Sequence, residues 1–230
     1  MFDQVSVIAF DLDDTLWPCM PTIQRAEETL YRWLQRHYPR ITARHGPEEL
    51  VALRREFSTR EPLYAVDMTV MRRDFLRHIG SLHDYDGELL SRRGFEVFFH
   101  ARQQVEFYHD VLPVLRRLKA RFRLGAISNG NASVDHVGLG QLFEHAVSAA
   151  DLQVAKPDPL IYRHLAQRFE AAPAEILYVG DHPEYDVIGA TEAGYHAVWI
   201  NREQGRWPQH LPEPRHQVAD LRQLEALLSG

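Results

Sequence analysis

Two carboxylates stand two residues apart near the beginning of the sequence, Asp11 and Asp13, directly after the apolar run Val5–Phe10. A short run that is rich in β-branched residues and has little polar alternation is typical of a buried strand in a parallel sheet. Open α/β sheets bind their ligands at the carboxyl ends of such strands. We therefore predict a ligand site at these two carboxylates; the alternative is a solvated polar turn.

Polar side chains follow two further predicted strands, and a lysine lies between them in the sequence. Ser128 and Asn129 follow one strand, Asp181 and Asp186 follow the other, and Lys156 precedes a helix start. Because parallel strands end at the same edge of a sheet, we expect these side chains to meet the first two carboxylates there. Taken singly, each has a structural explanation, such as a turn, a surface lysine or a helix N-cap at Asp186.

The combined set of side chains predicts a definite chemistry. Carboxylates that lie close together repel and raise one another's pKa, so such a cluster needs a cation. Oxygen ligands with room for water and a phosphate group suit Mg²⁺. In phosphoryl transfer one carboxylate attacks phosphorus, and a second protonates the leaving alkoxide and then activates water. We therefore predict a small phosphate ester as the substrate and Mg²⁺ as the cofactor.

The second half of the sequence has the pattern of an α/β domain. From residue 109 onward, short apolar runs alternate with helical ones, which indicates βαβ units and a parallel sheet. The predicted strands after the first are 124–127, 147–149, 176–179 and 197–200, and the predicted helices are 111–121, 158–169, 186–193 and 220–228. Asp158 and Pro159 are typical of an N-cap and a first helical residue.

The region between the first strand and residue 107 has helical periodicity instead. Apolar residues three and four positions apart predict four amphipathic helices, separated by proline and glycine breaks. They run through Ile23–Leu34, Leu50–Phe57, Met68–Ile79 and Leu90–Val105. The predicted fold is therefore α/β: a doubly wound, Rossmann-like parallel sheet formed by residues 1–17 and 107–230, with an inserted all-helical domain of residues 18–106.

Composition limits the partners and the compartment. A formal net charge of −6 and a pI near 6.1 argue against a nucleic-acid partner, and the basic run at 116–123 has the spacing of a solvated helix face. A single cysteine, Cys19, excludes an internal disulfide and favours a reducing compartment. No apolar stretch approaches the roughly 20 residues of a membrane span, and no secretion-signal pattern is visible. We expect a cytoplasmic protein without a membrane partner; its oligomeric state stays open.

Taken together, the motifs resemble those of the haloacid dehalogenase-like hydrolase superfamily, in that family's order. They are the D-x-D-x-T of Asp11–Thr15, the S-N-G that begins at Ser128, the Lys-Pro at Lys156 and the G-D-x-x-x-x-D that ends at Asp186. The long insertion between the first two motifs resembles the family's helical cap. The resemblance implies a hydrolase core with a cap that closes over the leaving group.

The resemblance also implies a role for each motif residue. Asp11 would be the nucleophile and Asp13 the general acid/base. The Asp11 carboxylate, the Asp13 backbone carbonyl and Asp181 would bind Mg²⁺. Phosphate would be bound by Ser128, Asn129 and Lys156, with Thr15 and Asp186 in supporting positions.

Two features bear on the substrate. True dehalogenases of this superfamily generally lack an acid at the position of Asp13, which favours a phosphatase here. The segments Ser128–Ala132, Gly138–Gly140 and Leu142–Glu144 are similar to those of bacterial phosphatases that act on flavin mononucleotide and on the phosphorylated ribitylaminouracil precursor of riboflavin. The alternatives are a phosphatase for a nucleotide, phosphoglycolate or a sugar phosphate, a phosphotransferase or mutase, a 2-haloacid dehalogenase, or a non-catalytic binding module.

Trp17 is the predicted substrate contact outside the motifs. It follows the nucleophile loop by two positions and precedes Pro18 at the expected hinge of the helical domain. A planar flavin or uracil ring could stack on an indole. The alternative is that the indole packs against the helices of the inserted domain, or that it positions that domain or the catalytic loop.

Overall fold

The computed structural model describes residues 2–229 and separates the chain into two units. One unit comprises the described part of Met1–Pro18 and Glu106–Gly230, and the other is Cys19–Val105. Each has its own core of buried apolar side chains. Among residues 2–229, no helix is both long enough and apolar enough to cross a membrane.

Five helices form the unit Cys19–Val105: α1 (Cys19–His37), α2 (Pro39–Thr42), α3 (Pro47–Phe57), α4 (Met68–Leu82) and α5 (Gly87–Arg102), with a 3₁₀ turn at Pro62–Ala65. Four of the five are the predicted amphipathic helices. Sequence reasoning missed α2 because four residues are too few to show periodicity. It also extended the last helix too far, to Val105. The Gln103 amide closes α5 by donating to the Phe99 and His100 carbonyls.

The other unit is built on one parallel sheet. Its strands are β1 (Val7–Phe10), β2 (Arg123–Ser128), β3 (His145–Ser148), β4 (Ile176–Gly180), β5 (His196–Ile200) and β6 (Gln217–Val218). Their spatial order is β3-β2-β1-β4-β5-β6, so the sheet extends in both directions from the central, fully buried β1. This order confirms the predicted doubly wound α/β fold.

Helices flank this sheet. They are α6 (Val111–Lys119), α7 (Ala149–Leu152), α8 (Pro159–Phe169), α9 (Gly189–Glu192) and α10 (Leu221–Leu227), with a 3₁₀ turn at Pro173–Glu175 and a π-helical turn at Pro183–Ile188. The predicted start of α8 is confirmed, since the Asp158 carboxylate accepts the Leu160 N–H. Its buried face packs against the middle strands of the sheet.

Three elements of this unit differ from prediction. The third strand begins two residues earlier than expected and ends at Ser148, because Ser148 caps α7. The helix predicted to begin at Asp186 is instead the π-helical turn from Pro183, followed by α9. β6 was missed because two residues give no alternation; its pairing with β5 is a tertiary interaction.

Candidate functional site

The site is assembled at the carboxyl edge of the sheet. β1 pairs in parallel with both β2 and β4, in registers that place Phe10 beside Ala126 and Val179. The residues that follow these three strands therefore come together in space. The structure brings Asp11, Ser128 and Asp181 to this edge, as the strand pattern predicted.

Lys156 is the cation at the centre of the site. Its Nζ donates hydrogen bonds to Asp11 Oδ1 and Asp186 Oδ1, both at 2.6 Å, and to the Tyr178 hydroxyl at 3.0 Å. Both carboxylates and the ammonium are buried. Burial lowers the pKa of Lys156, but Asp11 and Asp186 outweigh it and hold that pKa well above its ordinary value. Lys156 therefore remains charged in the folded protein.

We call Lys156, Asp11, Asp181 and Asp186 the sheet-edge cluster. Oxygens of its three carboxylates lie within 4.8 Å of one another. With all three carboxylates ionised, the cluster would carry two negative charges in excess of its one ammonium. Burial, more than the neighbouring carboxylates, raises the pKa of Asp11 well above its ordinary value and that of Asp181 to about 7. An oxygen-only donor set with this excess charge fits a divalent hard cation such as Mg²⁺.

Neighbouring segments fix Asp181 on two sides. The Thr15 hydroxyl donates to Asp181 Oδ1 at 3.1 Å, and the Trp199 indole N–H donates to the Asp181 carbonyl at 2.7 Å. The Thr15 carbonyl in turn accepts from Arg202 Nε at 2.7 Å. These bonds tie the loop after β1 to the loops after β4 and β5.

Asp186 reaches the cluster because Gly180 leaves room for it. A Cβ at Gly180 would lie 2.3 Å from Asp186 Cγ, which no side chain could tolerate. The His182 N–H donates to Asp186 Oδ2 at 2.8 Å, so both carboxylate oxygens are used. The N-cap explanation for Asp186 is wrong: the residue lies inside the π-helical turn, and His182 caps it.

Ser128 and Asn129 take different positions at the end of β2. Ser128 Oγ is buried and accepts the Gly130 N–H at 2.9 Å, which leaves its hydroxyl proton for a ligand oxygen. The Asn129 side chain, by contrast, bonds the backbone of Lys156 twice, through Oδ1 to N at 2.8 Å and through Nδ2 to O at 3.1 Å. Asn129 was predicted to bind phosphate. Its side chain positions the lysine, and phosphate binding by this residue stays a prediction.

Trp17 was predicted as a substrate contact, and its position favours the alternative. The residue is fully buried. Its indole N–H donates to Asp13 Oδ1 at 2.9 Å, and its ring packs edge-on against Phe107 with 5.7 Å between the centroids. No face of the ring is open for stacking in this structure, and its one polar atom bonds the acid/base candidate.

Comparisons with known proteins agree with this geometry. A model of the haloacid dehalogenase-like hydrolase family matches residues 5–194. The chain belongs to this family.

Individual relatives of this hydrolase include both phosphatases and dehalogenases. It is 29% identical to the Escherichia coli (strain K12) 5-amino-6-(5-phospho-D-ribitylamino)uracil phosphatase YigB, over 98% of this chain and 97% of that protein. It is 34% identical to (S)-2-haloacid dehalogenase 4A of Burkholderia cepacia over 56% of this chain and 58% of that one. Its structure resembles that of a 2-haloacid dehalogenase from Pseudomonas syringae pv. Tomato DC3000, with a TM-score of 0.89, 35% identity and 98% of each chain covered.

Two residues of the hydrolase site were not predicted from the sequence. Tyr178 lies within β4; its hydroxyl accepts from Lys156 and donates to the Ile127 carbonyl at 3.2 Å. Arg202 donates from Nη1 and Nη2 to the two carboxylate oxygens of the buried Asp110, each at 3.1 Å. A tyrosine inside an otherwise aliphatic strand was the available signal for Tyr178, whereas nothing local marks Arg202.

The unit Cys19–Val105 of the hydrolase contains a second ionic group, which we call the helical cluster; its Arg72 is buried, and its Glu27 and Arg54 are half-buried. Glu27 accepts a hydrogen bond from Arg72 at 2.7 Å and forms an ion pair with Arg54 at 3.1 Å. Arg72 also lies 3.3 Å over the Phe98 ring, and burial lowers its pKa to about 10. The cluster lines an apolar groove of about 1010 Å³ between α1, α3 and α4.

Proposed function

We propose that this protein is a Mg²⁺-dependent phosphomonoesterase that forms an aspartyl phosphate on Asp11. The observation that carries the proposal is a second carboxylate, Asp13, placed two residues after a lysine-bound one. A carboxylate nucleophile alone would be compatible with several hydrolase reactions. The second acid is needed when the leaving group is an alkoxide, because an alkoxide must be protonated as it departs.

The hydrogen bonds of Asp11 assign its attacking oxygen. Lys156 occupies Oδ1, whereas Oδ2 accepts no hydrogen bond from any residue in the described range 2–229. In the first step Asp11 Oδ2 forms a bond to phosphorus while the ester P–O bond breaks. Asp13, protonated, gives its proton to the leaving oxygen. The Ser128 hydroxyl donates to a phosphoryl oxygen, and the Lys156 ammonium, whose three N–H groups are bonded within the protein, offsets the phosphoryl charge.

The second step returns the site to its starting state. Asp13, now a carboxylate, removes a proton from water as the water oxygen attacks phosphorus. The bond between phosphorus and Asp11 Oδ2 breaks, which releases inorganic phosphate and restores the Asp11 carboxylate. Asp13 is protonated again and ready for the next ester.

Mg²⁺, when bound, would offset the charge that the phosphate adds to the sheet-edge cluster. The Asp11 and Asp181 carboxylates and the Asp13 backbone carbonyl would hold it. Both oxygens of Asp186 accept hydrogen bonds within the protein. Asp186 would therefore hold Lys156 and a metal-bound water.

For the substrate, we propose flavin mononucleotide or the phosphorylated ribitylaminouracil precursor of riboflavin. The support is the E. coli relative, whose similarity spans nearly the whole length of both chains. Both compounds are alkyl phosphates, so both need the proton that Asp13 supplies. The alternative substrate is another phosphorylated metabolite. By the family resemblance, residues of the unit Cys19–Val105 would determine which substrate is accepted.

A kinetic panel tests the substrate and the reaction together. Free phosphate is measured with Mg²⁺ for both flavin-pathway compounds, nucleoside monophosphates, phosphoglycolate and sugar phosphates, and kcat/KM is compared. We expect the two flavin-pathway compounds to give the highest values. Phosphate transferred to an acceptor instead of water would identify a phosphotransferase or mutase. No turnover with any ester would favour a binding module.

The second candidate is a 2-haloacid dehalogenase, because a structural relative that bears this name is 35% identical over 98% of the chain. Asp13 opposes this function, since a departing halide needs no proton. The test is halide release from (S)-2-chloropropionate in the presence of EDTA. We expect none, while phosphate release from an ester requires Mg²⁺.

A further inference from the structure

The segment Asp11–Trp17 is a closed loop whose end returns to its beginning. The Asp14 N–H donates to the Trp17 carbonyl at 2.8 Å, and the Leu16 N–H donates to the Leu12 carbonyl at 2.8 Å. Asp14 has a left-handed backbone, with φ +58°, which permits the reversal. Trp17 therefore faces Asp13 across the loop, where the two residues form an isolated bridge.

The indole of Trp17 has one polar atom, and that atom points at the acid/base candidate. Its N–H donates to Asp13 Oδ1 at 2.9 Å, inside a fully buried ring. A buried N–H without an acceptor is unfavourable, so packing and hydrogen bonding act together to fix the carboxyl group. We propose that Trp17 is a positioning residue that orients Asp13 for proton transfer, an inference that rests on the proposed phosphatase function.

The chemistry of indole makes this orientation specific to one oxygen. Indole N–H is a donor only, so Asp13 Oδ1 must be the acceptor in every step of the cycle. When Asp13 is protonated, this bond favours the proton on Oδ2, because a carbonyl oxygen accepts an N–H better than a hydroxyl oxygen does. Oδ2 is then the atom that gives the proton to the leaving alkoxide and later takes one from water. A hydroxyl could donate to Asp13 in one step and accept from it in the other, whereas the indole N–H of Trp17 can only donate.

Removal of the N–H separates this role from packing. Trp17→Phe keeps an aromatic ring and loses the donor, whereas Phe107→Leu weakens the edge-on contact with the same indole and leaves the donor in place. Because good leaving groups need no general acid, the phosphorylation step is measured with two esters. These are flavin mononucleotide, an alkyl phosphate, and p-nitrophenyl phosphate, each by rapid-quench single turnover.

We expect Trp17→Phe to slow phosphorylation by flavin mononucleotide about 10–100-fold and by p-nitrophenyl phosphate less than about 3-fold. Phe107→Leu should change both rates by the same small factor. Equal losses for both esters in Trp17→Phe would overturn the inference and leave a packing role. If the wild-type protein hydrolyses neither ester, the proposed function itself fails, which is a different result.

A second variant keeps the test valid if Trp17→Phe does not fold. Site-specific replacement of Trp17 by 3-benzothienylalanine exchanges the N–H for sulfur within a ring of nearly the same shape. Circular dichroism and the melting temperature check the fold. The same selective loss with the alkyl ester supports the inference, and wild-type rates with both esters contradict it.

Discussion

The protein contains two ionic groups of opposite excess charge, each with buried members. In the sheet-edge cluster, three carboxylates face one ammonium; in the helical cluster, two guanidinium groups face one carboxylate. Within the helical cluster, Arg72 has a bidentate carboxylate and the face of Phe98 as partners, whereas the buried Arg54 Nε has no hydrogen-bond partner among residues 2–229. The sheet-edge cluster has no such compensation within the described chain. A buried excess of charge without compensation is characteristic of a site built for a ligand.

The largest expected effect is on the nucleophile. Asp11→Asn keeps the size of the side chain and the acceptor for Lys156, but an amide does not attack phosphorus. We expect kcat for any phosphate ester to fall by at least about 10⁴-fold, with an unchanged melting temperature or a higher one. Steady-state phosphate release measures the loss, and the exposed Asp135→Asn is the matched control. Turnover near the wild-type rate would exclude the covalent route.

In the helical cluster, loss of a cation should destabilise the fold. Arg72→Leu leaves Glu27 with one partner and removes the cation from Phe98. We expect the free energy of unfolding in urea to fall by about 3 kcal/mol. Arg54→Leu is the comparison, because Arg54 is less buried than Arg72, and its loss should be smaller. If neither variant lost stability, the helical cluster would not be a stabilising element.

In the sheet-edge cluster, loss of one negative charge should have the opposite effect. Asp181→Asn preserves an acceptor for Thr15 and lowers the excess charge. We expect the metal-free variant to be more stable than the wild type by roughly 1–2 kcal/mol at pH 8, while its response to MgCl₂ disappears. Urea denaturation in EDTA measures the metal-free stability, and the same experiment in MgCl₂ measures the response to the metal. A metal-free variant less stable than wild type would contradict the charge argument.

The smallest effect is a pH dependence of the response to Mg²⁺. Burial, followed by Asp186 and Asp14, raises the pKa of Asp181 to about 7. Below that pH the metal-free folded protein keeps the proton, which Mg²⁺ must displace; above it, the ionised carboxylate destabilises the fold and Mg²⁺ relieves the cost. We expect the rise in melting temperature on adding MgCl₂ to be about 2–4 °C larger at pH 8 than at pH 5.5. NaCl at equal ionic strength is the control, and equal rises at both pH values would contradict the assignment.

The fold was largely predictable because its signals are local. The apolar run that became β1 and the Asp158–Pro159 start of α8 depend on neighbouring residues alone. The π-helical turn was not predictable, because it depends on the close contact between Asp186 and Gly180, which no local sequence pattern records. β6 was not predictable either, since two residues become a strand only beside β5.

For the site, the sequence indicated which residues meet but not how each one points. Asn129 follows a strand as expected, yet its side chain turns to the Lys156 backbone. Trp17 stands where a substrate contact was expected, yet its N–H turns to Asp13. The direction of a side chain depends on packing between segments far apart in the chain, which a strand or loop pattern does not record. The motif roles themselves remain predictions for the experiments above.

The bonds from Arg202 to Thr15 and Asp110 also affect when the loop after β1 can become ordered during synthesis. β1 leaves the ribosome first, but its neighbours begin only at residues 123 and 176. The unit Cys19–Val105, with its own core, can fold meanwhile. At roughly 5–20 residues per second, the loop that contains the nucleophile waits about 10–40 s for Arg202 to be made. The loop after β1 is thus synthesised before Lys156, Asp181 and Arg202, the residues whose hydrogen bonds hold Asp11 and Thr15 in place.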